Sequence, residues 1–313
     1  MKGLELAKAF YEAFGKDMLE KDFPEALPYL AIGLAGSGSE CYGFDDIASQ
    51  DHDFEPAFCI FLPDENIIDS KLEFRLERAY AKLPKEFMGF KRSPLSPVGG
   101  NRHGVIRMAD FFASKTGSRD GSLSLDAWFS IPEFSLLEAT NGEIFSDPSG
   151  QFSAIREKLR YLPESVRLKK LAGRLLLMGQ AGLYNYERCL KRGETAAAQL
   201  SVFEFSQSAM HCVFLLNRAY MPYYKWSFKA LRALPLLGEL SKDFQYLISS
   251  GNQETEAPKK LKIIEKICEK IADELRNGGL TKFATSEMEP LAYAINDTIP
   301  DPTLRNLNIL YGV

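Results

Sequence analysis

No run of the chain approaches the roughly 18 consecutive apolar residues that a membrane-spanning helix needs. The richest stretch, Leu171 to Leu183, is broken by Arg174, Gln180 and glycines. The first ten residues have no long apolar core and already carry Glu5, which argues against a secretory signal. Basic excess is missing as well: 38 Lys and Arg against 42 Asp and Glu leave a net charge of −4. A global field able to hold duplex nucleic acid or an anionic membrane is therefore excluded. The five cysteines (Cys41, Cys59, Cys189, Cys212, Cys268) have no paired short spacing, so neither a zinc knuckle nor a disulfide framework is expected. Histidine is scarcer still, and His52, His103 and His211 share no spacing suited to a zinc hydrolase. Together these absences predict a cytoplasmic protein with reduced, mostly buried thiols.

What is present is ordinary globular material. Hydrophobic residues make up 45% and charged residues 26% of 313 positions, a length that suits about two domains. From Leu4 to Phe23, apolar positions recur on one helical stripe, and Pro24 and Pro28 stop it. Tyr29 to Ala35 reads as a buried strand that runs into Gly36-Ser37-Gly38-Ser39. A second strand candidate spans Asp51 to Leu62, a helix Ile68 to Leu83, and a third strand Gly104 to Met108. Beyond Ser149 the pattern turns wholly helical, with segments Ile155 to Lys191, Thr195 to Tyr220, Ser227 to Ser250, Lys259 to Asn277 and Glu287 to Asn296. Short connections between them imply an antiparallel bundle. The expectation is an α+β domain over 1–149 followed by an all-α bundle over 150–313.

Chemistry concentrates in one stretch, Gly36 to Pro56. A Gly/Ser bend after a buried strand lets backbone amides approach a phosphate closely. Asp51 and Asp53 stand two apart on a strand candidate, so their carboxylates share a face and suit a hard cation such as Mg²⁺. Ser39 lies twelve positions before Asp51, and a phosphate cradle ahead of an acid pair describes a site for nucleotidyl transfer. Between the two acids, His52 faces the other way and reads as a hydrogen-bonded core residue.

Gly38-Ser39, the glycine at 43, Ser49 and Asp51-x-Asp53 together resemble the nucleotidyltransferases of the DNA polymerase beta superfamily. The order of the later landmarks Ala127-Trp-Phe, Asn141 to Asp147 and Tyr223-Tyr-Lys-Trp-Ser-Phe is similar to a bacterial branch of that superfamily. There a polymerase-beta-like nucleotidyltransferase domain precedes a helical one, as in kanamycin and lincosamide nucleotidyltransferases. The resemblance implies that Ser39, with Ser37 and Gly38, holds the phosphates of a nucleoside triphosphate, and that Asp51 and Asp53 bind Mg²⁺ and carry catalysis. It also implies a third carboxylate from a later strand, but Gly104 to Met108 holds no acid; Glu55, Asp110 and Asp126 are the residues available, and none has the expected setting.

Other residues keep two readings. Arg92 and Arg102 bracket a loop that could close on triphosphate oxygens, since a guanidinium fork fits phosphate; an ordinary charged surface loop reads equally well. Lys225 and Trp226, within Tyr220 to Trp226, could contact an acceptor substrate or could anchor a helix. The functional expectation is a Mg²⁺-dependent transfer of a nucleoside monophosphate to a hydroxyl of a small molecule or protein. A nucleotide-binding regulatory module without turnover, and a partner-binding protein that keeps only the fold, are the alternatives. The acceptor, the base preference and any homo-oligomer are not legible.

Overall fold

The structure is a computed structural model that describes residues 1–50, 54–92 and 102–313. It is α+β, and its chain divides into two compact units. The first comprises 1–124 and 131–160, and the second 125–130 and 161–313. These units part after Arg160, and a short piece of chain from the middle of the first belongs to the second.

In the first unit, α1 (Gly3–Phe10) continues through a π-turn (Tyr11–Gly15) into α2 (Lys16–Asp22), in line with the stripe read from Leu4 to Phe23. Next come β1 (Ala31–Leu34), β2 (Cys59–Leu62), α3 (Ser70–Ala81) and a small hairpin of β3 (Glu86–Phe87) and β4 (Phe90–Lys91). They are followed by β5 (Gly104–Arg107), α4 (Met108–Thr116), then α5 (Leu125–Ser130), which belongs to the second unit, and by α6 (Glu133–Thr140), β6 (Glu143–Ser146) and α7 (Gln151–Leu159). The main sheet has the order β5-β2-β1-β6. Strand β1 is antiparallel to β2 and β6, whereas β2 runs parallel to β5 with Cys59 opposite Gly104.

Both central strands are buried along their whole length, which reads in sequence as an unbroken apolar run. Alternation sorts their side chains between two layers. Ile32, Ile60 and Leu62 join Phe10, Leu19, Phe58, Leu76 and Tyr80 in one core. Phe61 points the other way, its ring centroid 4.3 Å from that of Phe152 and 5.1 Å from that of Phe111.

The second unit is helical, as expected beyond Ser149. It holds α5, α8 (Glu164–Met178), a π-turn (Gly179–Asn185), α9 (Tyr186–Lys191), α10 (Thr195–Leu216), α11 (Tyr224–Arg232), α12 (Ser241–Ser249), α13 (Ala257–Asn277), α14 (Met288–Asp297) and α15 (Pro302–Asn306). Helix α8 packs against both α10 and α14. Among the described residues no helix is long and apolar enough to cross a membrane.

Buried cations fasten this unit. Lys169 donates to Asn296 Oδ1 at 2.9 Å and to the Leu307 carbonyl at 2.7 Å, while Lys170 donates to the carbonyls of Phe129 and Gly312. Lys260 is fully buried, and its ammonium donates to Gln199 Oε1, the Ser250 carbonyl and Asn252 Oδ1 at 2.8, 2.8 and 3.1 Å. Three protons meet three acceptors, and none of the acceptors is charged. Burial accordingly pushes the Lys260 pKa down to about 8. Replacing Lys260 by Met removes this donor from the Ser250 carbonyl, while Tyr186 still donates to Asn252 Oδ1 and Asn252 Nδ2 to Gln199 Oε1, and should cost about 1–3 kcal/mol in denaturant unfolding at pH 7. Between pH 8 and the ordinary lysine range the unfolded chain binds the proton that the folded one releases, so this lysine's contribution to stability rises with pH there. The wild-type minus Lys260→Met difference in unfolding free energy should therefore grow across that window.

Candidate functional site

Strand β1 delivers the chain to Gly36–Glu40, and residues just before the two edge strands, β6 and β5, hold that bend in shape. Asn141, just before β6, meets Gly36 twice: its Oδ1 accepts from the Gly36 amide and its Nδ2 donates to the Gly36 carbonyl, both at 2.9 Å. Arg102, just before β5, donates through Nη2 to the Ser37 carbonyl at 2.8 Å and to Glu40 Oε1 at 2.5 Å. Gly38 sits beneath this ion pair with φ +125°, and a Cβ there would collide with both Arg102 Nη2 and Glu40 Oε1. Only glycine meets both demands.

The turn that follows uses carbonyls, not the preceding amides. Cys41 N donates to Gly38 O, Gly43 N to Glu40 O and Phe44 N to Ser39 O. The N–H groups of Ser37, Gly38, Ser39 and Glu40 donate to no acceptor among the described residues. Consecutive amides of this kind make a concavity for an anion.

The two serines differ. Ser39 Oγ makes no hydrogen bond among the described residues, whereas Ser37 Oγ donates to Glu138 Oε2 and accepts from Lys115 Nζ, both at 2.7 Å. Lys115 also donates to Glu138 Oε2 at 2.6 Å, and the Tyr42 hydroxyl donates to Oε1 at 3.1 Å. Burial opposes ionisation of Glu138, but hydrogen bonds from Lys115 and Ser37 and the lysine charge hold its pKa below the usual carboxylate value. Burial, then the charge of Glu138, pushes the Tyr42 phenol up, so it stays a donor.

Asp51, His52 and Asp53 lie outside the described residues, but their flank does not. A Cβ on Gly3 would stand 2.5 Å from Glu40 Cβ and 3.2 Å from the Phe54 ring. The residue after Ser39 and the residue after Asp53 therefore press on the same point at the start of α1. Asp45 joins them, its Oδ2 accepting from Gly3 N at 2.9 Å in a buried setting where the helix dipole favours a carboxylate. Glu55 Oε1 lies 3.0 Å from His103 Nδ1, and His103 is the next residue after Arg102. Adjacent positions thus grip the Gly/Ser bend and the chain just beyond Asp53.

The other acids are engaged elsewhere. Asp110 pairs with Arg119 at 2.9 Å on an exposed face of α4. Asp126 lies in the second unit and accepts from the Tyr311 hydroxyl at 2.8 Å. Among the described residues no three His, Cys, Asp or Glu side chains converge as metal ligands.

Of the two arginines, only Arg102 comes to the bend. Arg92 donates to the carbonyls of Tyr80 and Leu83 and lies 4.7 Å from the centroid of the Tyr80 ring. Lys225 and Trp226 open α11 in the second unit, where the ammonium groups of Lys225 and Lys229 stand 5.2 and 5.7 Å from the indole centroid. Sequence reading missed Lys115, Glu138 and Asn141 as partners of the bend. Each lies far along the chain, and neither a single charged residue on a helix (Lys115, Glu138) nor a lone amide ahead of a strand (Asn141) carries a spacing signal.

The family model of a domain of unknown function (DUF4037) matches residues 128–227. The matched segment contains Glu138, Asn141, Lys225 and Trp226, and it begins well after the Gly/Ser bend. No curated protein matches the chain.

Gly38→Ala forces an alanine into a strained φ and into the Arg102–Glu40 pair. It should lower stability by about 1–3 kcal/mol in denaturant unfolding and abolish binding of any anion at the bend, as read by calorimetry.

Proposed function

We propose that the chain is a nucleotidyltransferase that moves a nucleoside monophosphate from a triphosphate to an acceptor hydroxyl. The observation that carries this reading is the row of amides from Ser37 to Glu40 that donate to no acceptor among the described residues, in a bend held by Asn141 and Arg102. The shared packing of Glu40 and Phe54 on Gly3 supports it further, because it ties the bend to the residue that follows Asp53.

In this reading the four amides and Ser39 Oγ receive the β- and γ-phosphates, whose negative charge suits backbone N–H donors and nearby cations. Arg102 keeps the bend rigid, so little order has to be imposed when the nucleotide enters. Asp51 and Asp53, as oxygen donors, would hold Mg²⁺, which supplies positive charge against the phosphoryl oxygens. The acceptor oxygen then bonds to the α-phosphorus, the bond to the bridging oxygen of pyrophosphate breaks, and the hydroxyl proton is released. Positioning of the two reactants provides much of the acceleration.

A second reading, a nucleotide-binding regulatory protein without turnover, is favoured by the engagement of Asp110 with Arg119 and of Asp126 with Tyr311. Each of ATP, GTP, CTP and UTP should be tested with Mg²⁺ and a panel of hydroxyl acceptors. Release of pyrophosphate by wild type, reduced about a hundredfold or more in Asp51→Asn, is the expected result. Saturable binding without pyrophosphate points to the second reading, and no binding of any triphosphate refutes both.

A further inference from the structure

Beside the four amides, Ser37, Lys115 and Glu138 close a triangle of hydrogen bonds. Its corners come from the bend after β1 and from the last turns of α4 and α6. Lys115 and Glu138 are 18% and 15% exposed, enough for a ligand to reach them while water screens them only in part. Resting on the triphosphate reading above, we propose that Lys115 is a phosphate-binding side chain of this site and Glu138 the carboxylate that competes for it. Polyphosphate arrival then exchanges one anionic partner of Lys115 for another.

The geometry favours such an exchange. An anion seated on the amides of Ser37 to Glu40 lies next to Ser37 Oγ, to which Lys115 is already bonded at 2.7 Å. A lysine ammonium is a compact charge on a flexible stem, so it can turn from a carboxylate to a phosphoryl oxygen without moving the backbone. Arg102 differs, since both of its acceptors belong to the bend itself and its role is to keep that shape. When the lysine turns, Glu138 gives up its ion pair but keeps two donors, Tyr42 to Oε1 and Ser37 to Oε2. No buried charge is left unpartnered.

The arrangement also selects. The carboxylate of Glu138 repels any anion at the bend, so a ligand must carry enough charge to win Lys115 from it. A triphosphate does; a monophosphate, with fewer oxygens and less charge, competes poorly. Glu138 thereby acts as a specificity-determining residue, and Lys115 as a direct contact.

Calorimetric titration of ATP and of AMP with Mg²⁺ into the full chain tests this. Lys115→Met should weaken ATP binding roughly tenfold or more, the loss of a charge-assisted hydrogen bond. Lys115→Arg, which keeps the charge, should recover most of it. Glu138→Gln keeps the shape and the Tyr42 contact but removes the competing charge, so it should tighten ATP binding severalfold and narrow the preference for ATP over AMP. Thermal unfolding midpoints check that each variant is folded; should Lys115→Met not fold, Lys115→Gln replaces it. Weaker ATP binding in Glu138→Gln, or unchanged binding in a folded Lys115→Met, overturns the exchange while the triphosphate reading stands. Absence of triphosphate binding by wild type overturns both.

Discussion

Everything at the Gly/Ser bend depends on two side chains that satisfy its backbone from outside. Asn141 meets both polar groups of Gly36, and Arg102 meets the Ser37 carbonyl and the Glu40 carboxylate. A bend with positive φ at Gly36 and Gly38 is costly to hold in one conformation, because glycine loses more freedom on ordering than any other residue. The sheet offsets that cost by placing Asn141 before β6 and Arg102 before β5, on strands at the two edges of the four. The clamps take the Gly36 amide and the carbonyls of Gly36 and Ser37, and the amides of Ser37 to Glu40 donate to nothing among the described residues.

Helix α1 adds a second constraint from the opposite direction. Its first residue, Gly3, lets Glu40 and Phe54 approach to contact distance, and its amide is met by the buried Asp45. A helix start usually needs acceptors for its first N–H groups. Here the acceptor comes from the segment that joins the bend to the aspartate pair, so satisfying the helix also fixes that segment's path.

Much of the architecture was legible because it rests on periodicity. The stripe from Leu4 to Phe23 became α1 and α2, the apolar run ending at Ala35 became β1, and Gly104 to Met108 became β5 and the start of α4. Strand β6 was not legible: Glu143–Ser146 is four residues long and only partly buried, so its apolar signal is weak. The sequence pattern predicts strand from Asp51 to Leu62, but of its described residues 54–58 are not strand and β2 begins at Cys59, although burial already starts at Pro56. The α5 segment was also missed, since six residues are too few for a helical period to be decisive. At the site, the bend itself was readable from its glycines and serines. Lys115 and Glu138 were not, because their link to Ser37 is a tertiary contact across 78 and 101 positions of chain.

The placement of α5 sets an order of events during synthesis. Leu125–Ser130 belongs to the helical unit, yet Lys170 of α8 takes the Phe129 carbonyl and Tyr311 takes Asp126 across 185 positions. At ribosomal speeds of about 5–20 residues per second, this short helix waits roughly 10–40 seconds for its last partner to emerge. For that interval the Phe129 ring, buried in the finished fold, lacks the Tyr311 ring that it packs against at 5.0 Å.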